Sequence, residues 1–490
     1  MHDYQDVASD FQVANEACAV WLDAGLGKTG ITLNSLIRLR TLGLSKRVLV
    51  IAPLKVAVRQ WPGEMQVWRH TRGIPHTLIR AEQDHPEAVA EYRAVLAEKR
   101  SHGWRDWALY CAQRARTAKM EEIRQRLARE DTFIHIINVE RVAWLVAFWG
   151  KKNWPYDTVV IDEASNFNHR TSDRFKSLVS VRAKINRVYE LTASPAAETY
   201  MSLFTQIFLL DRGKRFGRYI THFRSKYFDY NEKKMQYKLK KGADKQIADS
   251  VADVVLTMRA KDYLKRDEAL IVPRYVDLTE HESDIYQKFR ETFFLEHPLG
   301  DIEAPTAGAL AQKILQFASG AVYDNKGETR FFHDHKLREL EEIYAECVGS
   351  PLLVGYWFKS SLARLKKAFP KAVVMSSDGR EEKAWNDGKI GMMLVHPQSA
   401  GHGLNLQYGP GHRLALYDMF YRFELWDQLI KRLDRQGQKE LVIVNPILAR
   451  RTEDIGVFRK LAAKEDAENW LKERVRAIRA AALKGERLAA

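Results

Sequence analysis

Cysteine is scarce in these 490 residues: there are three, at Cys18, Cys111 and Cys347, and none forms a CxxC pair. An odd number so widely spaced excludes a disulfide framework and a zinc ribbon, and suits a reducing compartment. Histidine offers no metal site either. The nearest approach to a ligand pair is His333-Asp334-His335, and with no further ligands nearby in sequence these read as ordinary loop or strand histidines. No apolar run approaches the ~20 residues of a membrane span; Val142 to Phe148 is the best and is far too short. A charged-then-apolar leader pattern is missing, as are fixed-period repeats and low-complexity stretches. These absences set the expectation of a soluble cytoplasmic protein with no membrane partner.

What is present is a basic surplus. There are 78 Lys and Arg against 63 Asp and Glu, giving a formal net charge of +15. Such an excess favours a polyanionic partner, because neutralised phosphates release condensed counterions. A solubilising surface of mixed charge gives the same composition, so charge alone leaves both readings open. At 46% hydrophobic residues the chain can fill more than one core. Its length suggests about three domains at ~150 residues each.

Short β-branched runs recur between Lys46 and Pro195: Val48–Ile51, Ile134–Ile137, Thr158–Ile161 and Val188–Leu191. Helix-compatible stretches separate them, as in a parallel sheet. A second set follows at Leu352–Val354, Ala372–Val374, Met392–Val395, Leu414–Leu416 and Leu441–Val444. The pattern predicts two α/β lobes: residues 1–210, with a helical insertion over 82–130, and residues 346–455. Residues 211–345 read as a basic helical insertion or protrusion and inter-lobe region, and 456–490 as a C-terminal helical brace. Within the inter-lobe region Lys214, Arg215, Arg218, Arg224, Lys226, Lys233, Lys234, Lys238, Lys240 and Lys241 crowd together. Phe216, Tyr219, Phe223, Tyr227, Phe228, Tyr230 and Tyr237 lie among them. The expectation is a mixture, with the aromatics mostly in the core and the cations partly on phosphate.

The strongest local signal is Leu22-Asp23-Ala24-Gly25-Leu26-Gly27-Lys28-Thr29, followed by a helical stretch. Gly25 and Gly27 let the backbone curl so that successive N–H groups face a phosphate. Lys28 can reach the β- and γ-phosphates, and the Thr29 hydroxyl can ligate Mg²⁺. Leu22 stands where the full GxxxxGK[ST] pattern has its first glycine. The partner such a loop needs is a strand ending in acid, and Val159-Val160-Ile161-Asp162-Glu163 supplies one. Asp162 would enter the Mg²⁺ shell while Glu163 orients or deprotonates an attacking water. Further on, Arg432 and Arg435 are three apart and so are expected on one helix face, where a guanidinium fork can stabilise a transferring phosphoryl group.

With these residues in place, the chain resembles the Swi/Snf-like branch of helicase superfamily two, particularly its compact bacteriophage and bacterial versions. His2-Asp3-Tyr4-Gln5 resembles the adenine-reading segment, with Gln5 on the base edge. Leu49 to Leu54 followed by Trp61 and Glu64 resembles a motif that lies near DNA. Asp162-Glu163-Ala164-Ser165 resembles the DExx box, and Leu191-Thr192-Ala193-Ser194-Pro195 the coupling motif. Ser399-Ala400-Gly401-His402-Gly403-Leu404-Asn405-Leu406 resembles the AGGxGLNL loop. Gln428 with Arg432-Leu433-Asp434-Arg435-Gln436-Gly437-Gln438 resembles the closing QxxxRxxRxGQ motif. Met258, Arg259 and Lys261 fall in the stretch that leads into the second lobe. Tyr286 falls where a helical protrusion is usual, and Lys336 shortly before lobe two proper. The departures, at Ser165, Ala193, Ser194, His402 and Asp434, touch coupling more than hydrolysis.

The resemblance implies an α/β protein of two tandem RecA-like parallel-sheet lobes with helical insertions. It implies ATP and Mg²⁺ as cofactors, ATP held by Gln5, Gly25, Gly27, Lys28 and Thr29, and metal by Thr29 and Asp162. Lys28, Asp162, Glu163, Arg432 and Arg435 would be catalytic. Thr192, Ser194, Gly401, Gly403, Asn405, Gln428 and Gln438 would couple turnover to nucleic acid. The implied activity is an ATP-dependent translocase on DNA, duplex or branched, gripped mainly by its phosphate backbone, in a bacterial or phage-infected cell. RNA is the weaker candidate. A strand-separating helicase and a non-catalytic nucleic-acid scaffold remain open as alternatives.

Overall fold

Apolar β-branched runs with no polar alternation can be satisfied only in strands covered on both faces, and that is where the chain places them. The structure, a computed structural model, describes all residues except 1, 83, 101–104, 197–198, 233–234, 264–266, 377, 401–403 and 484–490. Two compact units result. One comprises Met1–Asp23, Gly27–Met258 and Glu473–Ala490; the other comprises Ala24–Leu26 and Arg259–Lys472.

The strands of the first unit are β1 (Ala17–Leu22), β2 (Val48–Ala52), β3 (His76–Leu78), β4 (Ile134–Asn138), β5 (Thr158–Asp162) and β6 (Arg187–Thr192). They are followed by β7 (Phe228–Asn231), β8 (Gln236–Leu239) and β9 (Val255–Met258). Seven of them form a parallel sheet in the order β3-β4-β2-β5-β6-β1-β9. Every residue of β2, β5 and β6 is buried, including Arg187 and Glu190. Glu190 sits inside the sheet, and burial pushes its carboxyl well above the ordinary range. Helices Pro86–Arg100 and Arg105–Arg129 pack on each other through Ala88, Met120 and Ile123, with Arg126 bridging Glu87 at 2.6 Å. β7 and β8 are not part of the sheet; they pair antiparallel as a separate ribbon.

In the second unit the strands are β10 (Leu270–Ile271), β11 (Arg274–Val276), β12 (Phe294–Leu295), β13 (Ile302–Glu303), β14 (Ala321–Tyr323) and β15 (Thr329–Phe331). Then come β16 (Leu352–Gly355), β17 (Val373–Val374), β18 (Met392–Val395), β19 (Arg413–Leu416) and β20 (Ile443–Ala449). A second parallel sheet runs β10-β20-β19-β16-β18-β17, with β11 also on β20, while β12–β13 and β14–β15 are small hairpins. The strand anticipated at Leu441–Val444 in fact begins at Ile443 and continues to Ala449. Pairing with β19 and then β11 carries it through Pro446. Under this sheet Lys336 and Asp454 form a fully buried ion pair at 2.7 Å, and the Lys336 ammonium also donates to the Tyr417 carbonyl at 3.2 Å. Each unit is thus a RecA-like lobe, a parallel sheet clothed in helices. Among the described residues no helix is long and apolar enough to cross a membrane.

Candidate functional site

Parallel strands point their carboxyl ends to one edge, where loops can form a crevice for a ligand. In the first unit β1, β6 and β5 are neighbours, with Trp21 beside Thr192 and Asp162 beside Leu191. The loop after β1, the acidic pair after β5 and the Thr192 turn therefore leave the sheet side by side.

After β1 the chain turns at Gly25 (φ 89°) and Gly27 (φ 82°) into the helix Lys28–Thr41. The N-cap residue Gly27 has no side chain to cap that helix, and the positive end of the helix dipole faces the loop, the polarity that suits an anion. A Cβ at Gly27 would lie 2.6 Å from Gln5 Nε2. The Gln5 amide oxygen accepts the His2 N–H at 3.0 Å, which holds that side chain against the loop. The Lys28 ammonium donates to the Leu22 carbonyl at 2.8 Å. The residue standing in for the motif's first glycine thus contributes its backbone oxygen.

Thr29 and Asp162 are both buried, and one turn of chain holds both. Val56–Gln60 is a π-turn leading into the helix Trp61–Val67, a bulge type frequent at functional sites. Gln60 Nε2 donates to Thr29 Oγ1 at 2.9 Å, and Trp61 Nε1 donates to Asp162 Oδ2 at 2.9 Å. The Glu163 N–H donates to Asp162 Oδ1 at 3.0 Å. Burial above all, then the neighbouring Glu163 charge, pushes the Asp162 carboxyl up to about 6; the Trp61 hydrogen bond and Lys28 pull the other way. Glu163 itself holds a left-handed backbone, φ 53° and ψ 63°. Such strain costs ~1 kcal/mol or more in a residue with a Cβ and tends to gather at working sites. Asn166 bonds the Glu163 carbonyl through both its backbone and side-chain N–H groups. Thr192 Oγ1 accepts the Ser194 N–H at 3.1 Å, closing the third turn.

This donor set fits a nucleotide and a hard divalent cation. The glycine cradle admits no side chain, and the metal-type donors are oxygens only. A buried carboxylate raised by desolvation is also the group a cation would relieve.

In the second unit the helix Phe423–Leu433 carries Gln428 and Arg432. The expected shared face of Arg432 and Arg435 is corrected here. The helix ends at Leu433, Asp434 leaves helical geometry at ψ 72°, and Arg435 lies beyond it. The two arginines still reach one loop, Arg432 Nη1 donating to the Leu404 carbonyl and Arg435 Nη1 to Asn405 Oδ1, each at 3.1 Å. Asn405 is fixed further by Glu382 at its N–H and Asn386 at its carbonyl. Gln438 is occupied by backbone: its amide donates to Gly411 and accepts from Lys439 and Glu440. Gln428 donates to Glu424 at 3.2 Å. Gly401 and Gly403 lie outside the described residues.

Sequence reasoning missed Gln60. Trp61, which resemblance put in a motif near DNA, has a fully buried ring whose N–H is on Asp162. Glu64 accepts from Trp68 at 3.0 Å. His333 bonds the Phe317 carbonyl and His335 bonds Glu282. No metal-holding cluster occurs among the described residues.

Comparison with known proteins adds three findings. The profile of the SNF2-related domain matches residues 12–338. Protein p41 of Acyrthosiphon pisum secondary endosymbiont phage 1 is 31% identical over 471 residues, covering 93% of this chain and 94% of that protein. The Sulfolobus solfataricus SWI2/SNF2 ATPase core in complex with dsDNA is similar at 17% identity and a TM-score of 0.42. That match covers 96% of this chain and 92% of the other.

Proposed function

We propose a function from one premise: the chain belongs to the SNF2-related family, and is therefore an ATPase of helicase superfamily two. On that premise it is an ATP-dependent translocase on DNA, with duplex as its track. The observation that supports this reading most directly is the tie between Thr29 and Asp162 through Gln60 and Trp61. It fixes a phosphate loop and an acidic strand end relative to each other.

Gln5 would read the base, while the 25–29 loop and Lys28 would receive the phosphates. Thr29 and Asp162 would hold Mg²⁺, which when bound neutralises phosphate charge. Glu163, next to Asp162 on a strained backbone, would orient the attacking water and take its proton. In the second unit Arg432 and Arg435 are the cations proposed to stabilise the transferring phosphoryl group. Thr192, Ser194 and Asn405 terminate or brace loops beside these groups and are the proposed couplers. DNA as the track is supported by the net charge of +15 and by the cations crowded between Arg212 and Lys245. Phosphate contacts carry no sequence information and so permit stepping. The phage relative supports action inside an infected or phage-carrying bacterial cell.

The test is steady-state ATP hydrolysis without nucleic acid and with single-stranded DNA, blunt duplex, a fork and RNA, with Lys28→Ala as control. Stimulation by duplex, lost on a scale of about 100-fold or more in the variant, is the expected result. Turnover no higher than in Lys28→Ala under every condition would leave only a nucleic-acid scaffold.

A further inference from the structure

The ribbon β7–β8 leaves the core after its first residue pair. Phe228 is buried and its cross-strand partner Leu239 half-buried, whereas Asp229, Tyr230, Asn231, Gln236, Tyr237 and Lys238 are all exposed. Strand alternation puts Phe228, Tyr230, Tyr237 and Leu239 on one face. The apolar stripe that roots the ribbon thus continues outward as a pair of tyrosines facing solvent. Their ring centroids are 4.9 Å apart and they remain 49% and 40% exposed. The Arg224 guanidinium lies 4.7 Å from the centre of the Tyr237 ring.

A cross-strand aromatic pair can exist to hold a hairpin together. That account leaves the surroundings unexplained. Phe216, Phe223, Tyr227 and Phe228 already make a buried aromatic anchor at the root. Met235, beside the turn, is 78% exposed. Lys226 and Lys241 are exposed at the two chain ends of the ribbon, while Lys238 stands across from Asp229 on its other face. Flat rings combined with a cationic surround match a strand whose bases are unstacked, since such a strand offers π-faces and phosphates together.

We propose that the β7–β8 ribbon is a base-stacking pin: Tyr230 and Tyr237 take unpaired DNA bases, and Arg224 and Lys226 take the adjoining phosphates. This rests on the DNA-motor reading and deepens it. A motor that draws duplex against such a pin separates strands at a junction. Paired bases are stacked inside the helix and cannot use the rings, so the pin favours forks over blunt duplex by on the order of 10-fold per captured base.

The experiment uses the full chain without ATP. Anisotropy titrations compare a blunt duplex with a fork of equal phosphate number carrying 2-aminopurine at the first unpaired position. Tyr230→Thr with Tyr237→Thr keeps strand-forming side chains and removes the rings; Tyr230→Phe with Tyr237→Phe keeps the rings. Wild type and the Phe pair should bind the fork about 10-fold tighter than the blunt duplex and quench the probe. The Thr pair should lose both effects, with blunt-duplex affinity unchanged within about 2-fold. A fork preference that survives in the Thr pair, or is absent from wild type, overturns the pin. Duplex-stimulated ATP hydrolysis, measured in parallel, judges the motor separately: its absence from wild type sinks that reading whichever way the fork comparison falls.

Discussion

Gly27 combines a φ of 82° with a site where any Cβ would meet the Gln5 amide at 2.6 Å. Gly27→Ala therefore has two penalties, left-handed strain and displacement of a side chain whose oxygen is held by the His2 N–H. Chemical denaturation should show a loss of about 1–3 kcal/mol, and a fluorescent-nucleotide titration a fall in affinity of at least ~10-fold. Trp61→Phe keeps the ring in its buried slot and removes the one indole N–H that orients Asp162. The Mg²⁺ concentration for half-maximal hydrolysis should then rise by about 10-fold, while Lys28→Ala should lose turnover at any Mg²⁺ concentration. An unchanged Mg²⁺ midpoint would mean the indole only packs. These two cases also mark what could be seen in advance. The glycines and the acidic pair were legible because their chemistry is written in adjacent residues. Gln60 and Trp61 were not, because their partners lie 31 and 101 positions away and only the sheet order brings them near.

Among elements, β2, β4, β5 and β6 announced themselves as β-branched runs, and β16, β17, β18 and β19 as short apolar ones. β1 did not. Ala-Cys-Ala-Val-Trp-Leu has one β-branched residue in six, and it becomes a central strand because β6 and β9 pair with it on either side. The end of the helix Phe423–Leu433 was likewise hidden: nothing between Arg432 and Arg435 is a Gly or Pro. The long helix Glu453–Leu483 carries its own pH dependence. Within it Glu468 pairs with Lys472 at 3.5 Å, both buried. Burial foremost, with Asp427 adding, pushes the Glu468 carboxyl from 4.5 up to about 7, against the pull of Lys472 and Lys431. The folded state then keeps a proton that the unfolded chain sheds near 4.5. Stability must fall as pH rises from about 4.5 to 7, and level off above, by roughly 3 kcal/mol at most. Glu468→Gln should flatten that fall, seen as a denaturation midpoint that declines less between pH 5 and pH 8 than in wild type. His135 and His333 act in the opposite sense. Burial lowers both to about 4, so they keep full stability above 6.5 and lose it as pH drops toward 4. An identical pH profile in Glu468→Gln would assign the whole slope to other groups.

For the molecule as a whole, a net charge of +15 can act in two ways on a polyanion. It can be a diffuse field to which every cation contributes, or it can be spent at one surface. The cations between Arg212 and Lys245 argue for the second. They crowd within a few turns of chain, and three of the exposed ones, Lys226, Lys238 and Lys241, lie on or next in sequence to the ribbon β7–β8. Salt dependence separates the two. Each phosphate neutralised contributes about −0.9 to the slope of log affinity against log salt on duplex DNA. Replacing Lys226, Lys238 and Lys241 by Gln removes three positive charges; replacing Lys366, Lys367 and Lys371, exposed in the second unit, removes three as well. If the ribbon and its surround grip the backbone, the first variant should lose up to about 3 from the slope, equally on unrelated sequences, and the second should keep the wild-type value. Equal losses in both would show that the charge works as a field, and would leave the ribbon no special claim on phosphate.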